Sequence, residues 1–178
     1  MSVDVFHALA AQSTESRGAL KGDYLFHRGD PVQRLFLLQD ASALLVRDGH
    51  DGELLILHRA TGPAVFAEAS LYSQTYHCDG ICTAPGHVIS LPVAKARVVL
   101  ESTPELAHAW QHFLASELQA ARTRSELLTR KTVAARLRGW IDWHGHLPGK
   151  GNWKTLAGEL GVSPEALYRE IGRGKSRR

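Results

Sequence analysis

The sequence predicts an α+β chain: an N-terminal β jelly-roll over residues 1–100, a long helix over 101–130 and a helix-turn-helix over 131–178. Three observations carry this. Short apolar runs separated by turn residues fill the first half of the chain. From Pro104 onward apolar residues recur at three- and four-residue steps, the period of a helix face. Basic side chains gather at the end: residues 1–100 hold eight Lys or Arg against ten Asp or Glu, and residues 101–178 hold thirteen against eight. The first part is therefore net −2 and the second net +5, and a surplus there suits a phosphate-bearing partner.

Composition sets the outer limits. A chain that is 44% hydrophobic and 22% charged can bury a core. No apolar run reaches the length of a membrane span, and Met1–Ala11 lacks the pattern of a signal peptide, so a cytoplasmic protein without membrane contact is expected. Cys78 and Cys82 are the only cysteines, too few for a disulfide scaffold.

In the first half, Tyr24-Leu25-Phe26 leads into a His27-Arg28-Gly29-Asp30-Pro31 turn. Leu35–Leu38 and Ala43–Val46 are strand-length runs, and Asp48–Gly52 reverses the chain as a hairpin before Glu53–His58 returns. Glu68–Tyr72 reads as one or two helical turns, followed by strands over Tyr76–Thr83 and Val88–Leu91. Many short strands at close spacing indicate a barrel or jelly roll.

The period changes near residue 93. Ser102 or Thr103 can cap a helix, Pro104 fits its first turn, and Glu105 suits the positive end of its dipole. Leu106, Trp110, Phe113, Leu114, Leu118, Ala121 and Leu128 form one long stripe. A stripe of that length is most simply explained by pairing with its copy in a homodimer. Thr132–Trp143 reads as a further amphipathic helix, ended by the His144–Gly151 segment.

Two short helices follow, over Trp153–Leu160 and Pro164–Ile171, joined by Gly161-Val162-Ser163. Small Ala157 permits a close helix crossing, Ser163 can cap the second helix, and Leu167 and Ile171 turn inward. That leaves Pro164, Glu165, Tyr168 and Arg169 near the groove-facing start of a recognition helix. Arginine can read a guanine edge and glutamate a cytosine, whereas Lys154 and Ser163 are placed for phosphates.

On these residues the chain resembles the catabolite activator/fumarate–nitrate regulator (CRP/FNR) superfamily over nearly its whole length. The resemblance rests on Lys21–Asp30, the Asp51-Gly52-Glu53 hairpin, Phe66–Tyr72 and the terminal helix pair. It implies a cyclic-nucleotide-binding-like sensor domain and a homodimer acting on double-stranded DNA at a palindromic operator, with RNA polymerase as a further partner. It also carries the base-contacting positions onto Pro164, Glu165 and Arg169, where Pro164 would remove one contact. Recognition helices of such a dimer face successive major grooves about 34 Å apart. The superfamily's wing is expected after the recognition helix, but here only Gly172–Arg178 follows Ile171. The basic tail then substitutes electrostatically, or DNA binding is weaker.

Relatives that bind cyclic nucleotides carry a Gly-Glu pair followed nine residues later by Arg and a hydroxyl residue. The matching positions here are Ala67, Glu68, His77 and Cys78. A titratable ring replaces the permanent cation, which disfavours a cyclic nucleotide. Glu68, His77 and Cys78 remain the expected effector pocket. His77, Cys78 and Cys82 together make a soft ligand set suited to Cu(I) or Zn, although on an extended strand the cysteines face away from His77. Thiol-redox sensing, haem-based gas sensing, and cysteines that merely pack beside a pocket for an organic or other effector are the alternatives. His27 is a further outer ligand, and His108 and His112 share a helix face most simply read as solvated. Met1–Ser16 has no cysteine to offer an iron–sulfur cluster.

An enzyme is the outlying reading. A cupin-type metal site needs a His-x-His pair on a barrel strand, and the pair here, His144-Gly145-His146, lies outside the barrel. A dimeric signalling module without DNA binding is the remaining alternative, separated from a regulator by salt-dependent duplex binding.

Overall fold

The computed structural model describes residues 4–49, 52 and 54–175. The apolar runs of the first half pair as eight strands: β1 Ser16–Ala19, β2 Tyr24–Phe26, β3 Arg34–Leu38, β4 Ser42–Asp48, β5 Leu54–Thr61, β6 Ala64–Phe66, β7 Asp79–Ala84 and β8 Gly86–Pro92. They form two four-stranded sheets, ordered β1-β8-β3-β6 and β2-β7-β4-β5. The paired registers β1/β8, β3/β8, β3/β6, β2/β7 and β4/β7 are all antiparallel, as a jelly roll requires.

Strand β3 explains why its sequence is continuously apolar rather than alternating. Phe36 and Leu38 enter the core between the sheets, with Phe26, Phe66, Tyr76 and Val88. Leu35 and Leu37 point the other way, into a second core shared with helices. Val65 and Phe66 on β6 divide in the same manner. A sheet covered on both faces has no solvated side on which polar residues could alternate.

The covering layer is helical: α1 Val5–Ala10, α2 Val93–Ser102 and the first part of α3 Pro104–Thr129. Neither α1 nor α2 is foreseen in the sequence as a helix, and α1 has only six residues. Its Asp4 side chain caps His7 N at 3.1 Å, and Leu9 is buried. On α2, Val93, Ala96 and Leu100 recur at the helical step and are buried.

The predicted seam on α3 requires a correction. Leu106 and Trp110 are each 3% exposed and belong to the core beneath the β-sheet, with Phe113 and Leu114 packed against it. Leu106 and Trp110 stabilise the protomer's own fold and offer no surface to a partner, whereas Phe113 and Leu114 are half-buried. Leu118, Ala121 and Leu128 are exposed.

Three further helices, α4 Val133–His144, α5 Trp153–Glu159 and α6 Pro164–Lys175, surround a separate core of Leu137, Trp140, Leu156, Leu160, Leu167 and Ile171. Thr132 caps α4 through its hydroxyl, which accepts from Ala135 N at 3.1 Å. Gly145 ends α4 at φ +84°, a conformation that favours glycine. By internal contacts the chain divides into two units, Met1–Arg47 with Leu57–Glu117, and Asp48–Ile56 with Leu118–Arg178. The division falls within α3, and residues 54–56 at the start of β5 group with the helical unit, where a Cβ on Gly158 would meet Ile56 Cδ1 at 2.6 Å; Asp51 and Glu53 of the expected hairpin lie outside the described residues.

Candidate functional site

Helices α5 and α6 are held at a defined turn. Gly161 sits at φ +59°. The Arg136 guanidinium donates to the carbonyls of Leu160 at 2.8 Å and Gly161 at 3.2 Å, satisfying acceptors exposed at the end of α5. Ser163 Oγ accepts from Ala166 N at 3.2 Å, the expected N-cap of α6. Leu167 and Ile171 are buried, and Ala157 is fully buried at the helix crossing.

The opposite side of α6 is open. Glu165, Tyr168 and Arg169 are exposed, Pro164 is half-buried, and Lys154 on α5 and Ser163 in the turn are exposed. The six residues expected to meet DNA therefore lie on α5, the turn and α6, and all but half-buried Pro164 are exposed. The Tyr168 ring lies 5.8 Å from Trp153 between centroids, a contact that restrains where its hydroxyl can reach. Arg136, which fixes the turn without facing outward, is absent from the sequence reading because its contacts span more than twenty residues.

In the sensor unit, Glu68–Tyr72 is a 3-10 turn, entered through Ala67 at φ +60°. Ala67 is the one non-glycine residue with positive φ among the described residues. A left-handed conformation costs an L-residue about 1–2 kcal/mol, a strain that glycine would escape. Glu68 is half-buried, with Oε2 shielded from solvent. His77 is exposed and precedes β7, whereas Cys78 and Cys82 are both buried in the core between the sheets.

The strand-face expectation is thus met: the thiols point in and the imidazole points out. The three predicted metal ligands are not brought together, and among the described residues no three His, Cys, Asp or Glu side chains converge as a metal-ligand group. Burial pushes the Cys78 thiol up to about 11, with nearby Asp79 and Glu68 raising it further against the opposing Arg47 guanidinium. Burial raises Cys82 as well. Burial and then Arg47 lower the His77 value.

Arg47 is a site residue that sequence reading misses. It lies near the end of β4, and its Nε donates to the His77 carbonyl at 2.8 Å. A guanidinium from the neighbouring strand therefore stands beside His77 and Cys78. Only strand pairing, with Val46 opposite Asp79, brings these distant segments together. His27 is occupied elsewhere: its ring stacks on Tyr24 at 4.4 Å, and its Nδ1 lies 3.4 Å from Asp79 Oδ1.

Residues 17–103 match the cyclic nucleotide-binding domain family. A curated relative, the global nitrogen regulator of Synechococcus elongatus, is 26% identical over 126 residues, covering 68% of this chain. The match spans just over half of that relative, 56% of its length. Among solved structures, the c-di-GMP-responsive global regulator CLP of Xanthomonas campestris aligns with a TM-score of 0.75 at 16% identity, covering 97% of this chain and 91% of that one. A CRP-family transcriptional regulator from Thermus thermophilus aligns with a TM-score of 0.71 at 14% identity, covering 90% and 85%. With a jelly roll of the cyclic nucleotide-binding type, a long α3 and a terminal helix-turn-helix, the chain has the fold of the CRP/FNR superfamily of transcription regulators.

Proposed function

We propose that this chain is a homodimeric, DNA-binding transcription regulator whose α6 enters the major groove and whose β-roll senses a small organic effector. The observation that carries the DNA reading is the two-sided α6: Leu167 and Ile171 are buried, while Glu165, Tyr168 and Arg169 are exposed beside a capped helix start. A palindromic operator and contact with RNA polymerase belong to the same reading, as does pairing through Leu118, Ala121 and Leu128, exposed on α3.

The effector sits at Glu68, His77 and Cys78, and Arg47 supplies the cation that His77 does not provide at neutral pH. A small organic anion fits that charge arrangement. A cyclic nucleotide fits it less well, because His77 stands where binding relatives carry arginine. Cu(I) or Zn at His77, Cys78 and Cys82 is disfavoured, since both thiols are buried and burial raises their pKa values. The same burial weighs against thiol-redox sensing.

The test begins with selection of duplexes from a random pool, followed by binding of the enriched sequence over a range of salt concentrations. A palindromic consensus and a log–log slope equivalent to several released counterions are expected. Arg169→Ala should cost about 1–3 kcal/mol on the consensus while leaving random duplex affinity nearly unchanged. Absence of enrichment would overturn the DNA reading. For the effector, melting shifts with organic phosphates and carboxylates, abolished in Glu68→Ala and Arg47→Ala, are the expected result.

A further inference from the structure

Outside the cassette and the helix-turn-helix, α3 carries a pair of histidines that neither site uses. His108 and His112 are one helical turn apart, and their Nε2 atoms lie 3.1 Å from each other. The rings meet edge-on, with centroids 4.5 Å apart. Both side chains are exposed, so solvent ions reach them.

That separation has a chemical meaning. Two imidazole nitrogens bound to one transition-metal ion at about 2.0–2.1 Å, with a ligand–metal–ligand angle near a right angle, stand about 3 Å apart. In the metal-free protein the same gap holds a proton: one Nε2–H donates to the lone pair of the other Nε2. When the donor ring shifts to its Nδ1–H tautomer, both Nε2 atoms present a lone pair to the shared gap and each ring carries its proton on Nδ1. Histidines at i and i+4 on one helix face are also the spacing used by helical zinc sites.

The scaffold favours this use. The inward face of α3 is fixed by Leu106 and Trp110 in the core, so the pair is carried by a packed helix. The rings line a groove of about 860 Å³ bounded by α1, β6 and α3, with room for water to complete a coordination sphere. Asp4, Glu105 and Ser116 line the same groove, and the two carboxylates make it attractive to a cation.

We infer that His108 and His112 form a bidentate site for a divalent first-row transition-metal ion, completed by water, on the sensor-unit part of α3. Imidazole nitrogen suits Cu(II), Ni(II) and Zn(II), and the general order of stability places Cu(II) tightest. The site shares no residue with the predicted His77, Cys78 and Cys82 set, and it stands whether or not the chain binds DNA. Protons compete for the ring nitrogens, so affinity falls as the pH is lowered.

The experiment uses tag-free, full-length protein treated with chelator, titrated with Cu(II) and with Zn(II) against a competing chelator. One ion per chain is expected, with affinity at least tenfold weaker in His108→Ala and in His112→Ala. His7→Ala, His146→Ala and Cys78→Ser should bind as the wild type does. The double variant His112→Ala/Ala115→His keeps two histidines on α3 but separates them by about two turns, and it should bind no better than the single variants. The Cu(II) paramagnetic resonance spectrum should show two imidazole nitrogens in the wild type and one or none in either alanine variant. Binding that survives His108→Ala unchanged, or a wild type no tighter than the double variant, overturns the site.

Discussion

Along α3 the same three- and four-residue spacing of apolar side chains runs from Leu106 to Leu128, yet its two ends have opposite fates. Trp110 is 3% exposed, sealed against the β-sheet by Phe113 and Leu114. Leu118 and Leu128 are 53% and 44% exposed. A similar contrast runs through the other candidate residues. Cys78 and Cys82 in the sensor unit are spent on the core, whereas Lys154, Glu165, Tyr168 and Arg169 in the helical unit remain accessible. The difference teaches that a periodic stripe reports only that a helix has an apolar side. Whether that side meets its own sheet or a partner depends on what the chain places beside it.

Three measurements break or sharpen this contrast. The largest effect is expected at the buried end. Trp110→Ala should destabilise the protomer by about 3–5 kcal/mol in denaturant unfolding, as the loss of a large core side chain does. Trp110→Phe should cost much less, because it also removes a buried indole N–H that has no hydrogen-bond partner among the described residues. If Trp110→Ala instead left unfolding unchanged, the sheet-facing assignment of this part of α3 would fail.

At the exposed end the expected effect is on association. Leu118→Lys with Leu128→Lys should shift sedimentation from dimer to monomer while changing protomer unfolding by less than about 1 kcal/mol, as surface substitutions do. A protomer that lost several kcal/mol would show that these leucines are core residues after all. An unchanged dimer would place the partner surface elsewhere, and the exposed Leu54, Leu55 and Leu57 on β5 would be tested next.

The smallest effect concerns the thiols and appears only in alkali. Cys78 rises from an ordinary value of 9.0 to about 11 in the folded chain. Between those values the unfolded chain has lost a proton that the folded chain keeps, so stability should fall as pH climbs from about 9 to about 11. Cys78→Ala should flatten that slope, and the native thiol should react slowly with alkylating reagents near neutral pH. Rapid alkylation of the folded protein under those conditions would place Cys78 outside the core.

Much of the helix-turn-helix was legible because its signals are local. Gly161, Ser163, and the Leu167–Ile171 spacing lie within a few residues, and each acts through its own turn or cap. The sensor unit was legible as strands and turns but less so as a site. Helix α1 is too short to show a period, and α2 follows β8 without an intervening loop, so neither announced itself. Arg47 reaches His77 only through the pairing of β4 with β7, across thirty residues of sequence.

Apart from α1 and α2, the sequence by itself determined the class of the main segments, the turn and cap chemistry, and the concentration of basic charge in the second part of the chain. Those properties follow from backbone preference and side-chain period, which act over a few residues. The tertiary structure alone decided that Leu106 and Trp110 serve the protomer, that the thiols are buried away from His77, and that the sheet ordered β1-β8-β3-β6 is covered on both faces. Burial depends on which surfaces meet, and those meetings join residues far apart in the chain.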